Sequence, residues 1–176
     1  MSKPAESAVP YLDWLSALYC LLAKARNQGL LSIEADAEDP ENEYSIFSAF
    51  PKTLEQPYLG FAADLLCMCV GGNLNSEELK VYAEHAISGH AEEGPANLYL
   101  LKTIWLTIWA SASGYSPQIA AEFGRQAIPV REKPSRAELH KILRELQRTF
   151  KPGKPRDKTE DPLDTKIDCF IASLND

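Results

Sequence analysis

The sequence predicts an all-α fold, a compact helical bundle of five to seven helices, on three observations. Apolar residues recur at the i, i+3, i+4, i+7 spacing of one helical face. Capping sequences mark helix starts at three places, Asn75 with Glu78, Ser116-Pro117, and Ser135 with Glu138. The segments between helices are short and punctuated by Pro and Gly, as the connections of a bundle are. A chain of 176 residues with 45% apolar residues suits one domain with a real core. That domain is predicted over 1–150, with 151–176 as a flexible basic and polar tail.

The elements follow in order. From residue 9 to about 29, Leu12, Leu15, Leu18, Tyr19, Leu22 and Ala25 line one face of a long amphipathic helix with Pro10 in its first turn. Its register is expected to run on through Leu30, Leu31 and Ile33, at a cost of about 1 kcal/mol for Gly29. Residues 34–43 carry six carboxylates and Pro40 and read as a connector, with a short helical turn at 44–50. A helix from Pro57 to Val70 stops at Gly71-Gly72, and the Asn75/Glu78 box opens the next, through about Ser88. Residues 89–95 (GHAEEGP) are expected to form a loop. The segment 98–112 is apolar on nearly all sides and is therefore expected at the centre of the bundle. Ser116-Pro117 starts a helix through Ile128. Ser135 opens the last well-marked one, with Leu139, Ile142, Leu143 and Leu146 as its buried face. The apolar spacing over 163–174 predicts a final short amphipathic helix after the tail's polar stretch.

Charge excludes some functions. The formal net charge is −7, with a pI near 5.0, so the body of the molecule repels nucleic acid and anionic lipid. Between Arg131 and Lys158, however, ten basic residues face four acidic ones, a local +6 that leaves −13 elsewhere. Within this region Arg136, His140, Arg144 and Arg148 recur every four residues as a basic stripe. The stripe is either ordinary solvated helix surface or a site for an acidic partner; nucleic acid is the weaker alternative, because only charge supports it.

No catalytic, cofactor or metal constellation is visible, and the chain is not expected to be an enzyme. His85 and His90 do not share a helical face, and Cys67 and Cys69 point about 200° apart on a helix. There is no Gly-x-Ser-x-Gly elbow and no phosphate-cradling glycine loop. The four cysteines, Cys20, Cys67, Cys69 and Cys169, form no disulfide framework; three sit in apolar segments and are expected to be core thiols of a cytoplasmic protein, since the N-terminus shows no signal pattern. Neither 58–70 nor 98–112 has the roughly 20 apolar residues a membrane span needs, so no membrane insertion is expected.

Residues 18–34 (LYCLLAKARNQGLLSIE) resemble the flagellar motor stator family of MotA, whose cytoplasmic region carries a similar Ala-Arg-x-x-Gly-Leu-Leu-x-x-Glu run. The likeness continues through Asp39-Pro40-Glu41 with Ile46-Phe47 and Pro51, then 61–78, then 114–134, and in all covers about 11–97 and 103–148. The family places two membrane helices before the first block and two between the blocks, and neither pair has a counterpart here, so ion-driven torque is not expected. In the family an arginine and a glutamate of the first block are regarded as the charged residues that meet the rotor protein FliG. They align with Arg26 and Glu34, so the resemblance implies partner binding there, by a FliG-like rotor protein, with the chain acting as an accessory or competitor of stators. Two alternatives stay open. Arg26 and Glu34 are solvated surface residues only, or the chain is a homo-oligomeric scaffold that self-associates through Leu101, Trp105, Ile108 and Trp109.

Overall fold

The computed structural model describes residues 9–72, 74–93 and 97–151. Beyond Lys151 the expected tail, the expected helix over 163–174 and Cys169 lie outside the described residues. The fold is all-α, with seven α-helices and three 3-10 turns, and no strand among the described residues.

Helix α1, Tyr11–Gln28, is buried on every side over its first three turns, where Trp14, Leu15, Ala17, Leu18 and Leu21 have no exposed surface. It therefore shares the centre of the bundle with α5, Leu98–Ala112, which the sequence had marked for that place alone. α5 packs on α1, on α3 (Tyr58–Val70), on α4 (Ser76–Glu93) and on α6 (Pro117–Ala127). α7, Arg136–Thr149, lies across α1 and α6 and buries Leu139, Ile142, Leu143 and Leu146, the four residues expected. Two threonines buried in α5, Thr103 and Thr107, turn their hydroxyls back to the carbonyls of Tyr99 and Thr103 at 2.8 Å each, so neither is left unpaired in an apolar helix.

One residue joins the starts of three helices. The Asn97 side chain caps α5 by accepting from the Tyr99 and Leu100 N–H groups at 3.0 and 3.1 Å. Its backbone N–H donates to the Tyr58 hydroxyl at 2.9 Å, and its side-chain amide donates to the Tyr11 hydroxyl at 3.4 Å. Tyr11 opens α1 and Tyr58 opens α3. At the other end, Ala25 of α1, Cys69 of α3 and Ala112 of α5 line one cavity. The three helices thus run the same way, with their C-termini together.

Three expectations about elements are corrected. The α1 register does not continue through Leu30: Gly29 takes φ 91°, a left-handed value that ends the helix, and the chain enters a 3-10 turn, Leu30–Ile33. The acidic connector contains a helix, α2, Glu34–Glu38, before 3-10 turns at Ile46–Ala49 and Pro51–Leu54. The loop expected at 89–95 is helical as far as Glu93, because Leu79, Ala83, Ala86 and Ile87 pack inward and His90 meets the Phe61 ring edge-on at 6.0 Å. That packing offsets the cost of Gly89.

Burial corrects two more. Leu101, Trp105 and Ile108 are buried and Trp109 is half-buried against Phe123, so the surface assigned to self-association is core. Of the three cysteines expected in the core, Cys20 is buried, Cys69 half-buried and Cys67 exposed on the outer side of α3.

Candidate protein-interaction edge

The edge forms where α1 ends. Arg26 lies in the last turn of α1, a favourable place for a cation beside the exposed carbonyls of a helix C-terminus. Glu34 opens α2, where a carboxylate is favoured for the opposite reason. Both side chains are exposed, and between them Leu30 and Leu31 are 43% and 71% exposed.

What holds this exposed segment is buried. Asp36 of α2, only 4% exposed, accepts from Lys24 Nζ of α1 at 2.8 Å through one oxygen. Its other oxygen accepts from the Ile46 N–H at 2.7 Å. Ser32 adds a longer bond from its hydroxyl to the Lys24 carbonyl at 3.4 Å. One carboxylate therefore ties α1, α2 and the 3-10 turn at 46–49 together. Sequence reading missed this pair, because Asp36 is one acid among six in a run and only the fold turns it inward. Lys24 and Asp36 each stand two residues from the exposed pair, so the clamp and the edge share a backbone.

Beneath the edge lies an apolar cavity of about 270 Å³. Leu22 and Ala25 of α1, Leu30 and Ile33, Leu66 and Cys69 of α3, Leu74, Leu79 of α4 and Ile108 of α5 form most of its wall. Leu30 and the half-exposed Leu74 stand at its mouth. Burial pushes the Cys69 thiol up to about 11, so it behaves as an apolar wall group and not as a thiolate.

The basic stripe is narrower than its spacing suggested. Arg136, Arg144 and Arg148 are exposed along α7, whereas His140 is half-buried, with Nε2 enclosed and no hydrogen-bond partner among the described residues. The start of α7 is set by the Ser135/Glu138 capping box and by Arg125. Arg125 donates to both Glu122 oxygens, at 2.9 and 2.6 Å, and to the Pro134 carbonyl at 2.9 Å. Those bonds hold the Glu122 carboxyl below its usual range. No group of three or more metal-ligating side chains occurs among the described residues. No helix among them is long and apolar enough to cross a membrane.

The described residues thus form an all-α bundle with an exposed, charged and apolar edge over a cavity of about 270 Å³. Among curated proteins, the chain is similar to Motility protein A of Salmonella typhimurium, at 39% identity over 90 residues, and to Motility protein A of Escherichia coli, at 37% over 90 residues. Each match covers 49% of this chain and 30% of the relative, so the chain spans under a third of the length of these relatives. The relationship is MotA-like over that half, a shorter reach than the two blocks of resemblance in the sequence. No protein-family model and no solved structure matches the chain.

Proposed function

We propose that this chain is a MotA-like, motility-related protein of the cytoplasm that binds a protein partner at the Arg26–Glu34 edge and has no enzymatic or channel activity of its own. The partner is a FliG-like rotor protein, and the chain acts as an accessory or competitor of stators. The observation that carries this reading is that Arg26 and Glu34 are both exposed on a segment pinned from beneath by the buried Lys24–Asp36 pair. Charged residues so placed steer encounter and fix register with a partner of complementary charge. The partial similarity to two Motility protein A sequences supports the setting.

Titration calorimetry with purified FliG tests it. Binding is expected, weakened about tenfold by Arg26→Glu or Glu34→Lys, which corresponds to ~1.4 kcal/mol each. No binding, or binding indifferent to both reversals, sinks the reading.

A further inference from the structure

We propose that the cavity beneath the edge is an anchor pocket, and that its occupant is a single large apolar side chain presented by a basic surface of a protein partner. This rests on the reading of residues 26–34 as a docking edge. It adds where the affinity comes from and the chemistry of the partner.

Size and lining fit an apolar side chain. A cavity of about 150 Å³ lined by aliphatic groups holds a benzene ring, and this one is about 270 Å³, with Leu22, Ile33, Leu66, Leu79 and Ile108 in its wall. Leu30 and Leu31 stay exposed beside the mouth and supply an apolar collar that contact would cover.

Charge selects the partner. Between residues 30 and 92 the described chain exposes eleven carboxylates against two lysines, Lys52 and Lys80. Close in sequence to the lining residues Ala25, Ile33 and Leu79, the exposed charges are Glu34, Glu77 and Glu78 against Arg26 and Lys80. The C-terminal ends of α1, α3 and α5 also converge on this cavity, so the negative ends of three helix dipoles meet there. A surface of this kind repels anionic lipid and a symmetric copy of itself, and it attracts cations around a central apolar group. The exposed positions of α7 in a second copy, 136, 137, 141, 144, 145, 147, 148 and 149, carry no large apolar side chain; Val130 beside Arg131 is 86% exposed, and the sedimentation arm of the test covers it.

The test uses the whole chain and a Lys-rich helical peptide carrying one central Trp, with binding read by calorimetry. The peptide is expected to bind, about tenfold or more weakly when its Trp is replaced by Ala, and about tenfold or more weakly to Ala25→Leu, which fills the cavity. Thermal melting checks that Ala25→Leu folds. If it does not, Leu74→Asp at the half-exposed mouth serves instead, and free indole is expected to compete with the peptide. Equal binding of the Trp and Ala peptides, or peptide binding that neither a folded cavity variant nor indole disturbs, overturns the proposal. So does sedimentation showing an oligomer that the cavity variant dissolves, since a second copy would then be the occupant. No rotor protein enters this assay. Peptide binding at the cavity with no FliG binding fails the proposed function alone, and FliG binding indifferent to Ala25→Leu fails the anchor alone.

Discussion

Asp36 shows how one side chain can govern a surface it does not belong to. It satisfies both Lys24 and the Ile46 N–H from a position nearly closed to water. Removing it leaves the buried Ile46 N–H without its acceptor and the partly buried Lys24 without its partner, so Asp36→Ala is expected to cost about 2 kcal/mol in urea unfolding. A cost under about 0.5 kcal/mol would mean that Lys24, still 18% exposed, simply turns to solvent. Glu122 supplies a pH test. Its folded-state acidity is raised by the Arg125 hydrogen bonds, so its stabilising contribution is complete above the ordinary carboxylate range and is lost as pH falls through its lower folded value. Melting temperature should therefore drop between about pH 5 and pH 3 in the parent, and drop less in Glu122→Gln. Sequence alone placed Arg26 and Glu34 by resemblance and left Asp36 unnoticed, because a run of carboxylates does not say which one the fold turns inward.

Helix starts were legible because capping is local. Asn75 with Glu78 and Ser135 with Glu138 both form the reciprocal bonds that their spacing implies. Helix ends were less so. Gly29 ends a helix by backbone conformation, while Gly89 is carried through one by packing, and composition treats the two alike. Gly124 could not be read at all. A β-carbon there would collide with the Thr107 hydroxyl and come within 2.8 Å of both Leu15 and the Thr103 carbonyl, so its absence lets α6 press onto α5 and α1. Two of those obstacles lie on the backbone or side chain of the core helix α5, which cannot move aside cheaply. Gly124→Ala is expected to destabilise by about 2 kcal/mol despite the better helix propensity of alanine, measured as a shift in urea midpoint. A neutral or stabilising result would show that α6 can slide without loss.

At the scale of the molecule, the all-α class and the single bundle were readable from periodicity, and the parallel course of α1, α3 and α5 was not. Tyr11, Tyr58 and Asn97 are far apart in sequence, and no local pattern announces that they meet. The apolar cavity is equally a product of assembly, since its wall draws on residues from 22 to 112. Asn97→Ala removes the cap of α5 and the bond to Tyr11, and should cost about 1–2 kcal/mol by thermal or urea unfolding. The Tyr58 hydroxyl keeps its backbone partner in that variant, so a far larger loss would mean that the junction does not come apart one bond at a time.

The Asn97 junction also has a mechanical consequence. α1 is 18 residues long, about 27 Å, and carries Arg26 near the end away from the junction. A sideways pull on the edge is resisted along that length by the packing of α1 on α5, α6 and α7 and by the Lys24–Asp36 pair, with the junction hydrogen bonds at its far end. A push along the helix axes is instead shared by the backbone ladders of three helices side by side.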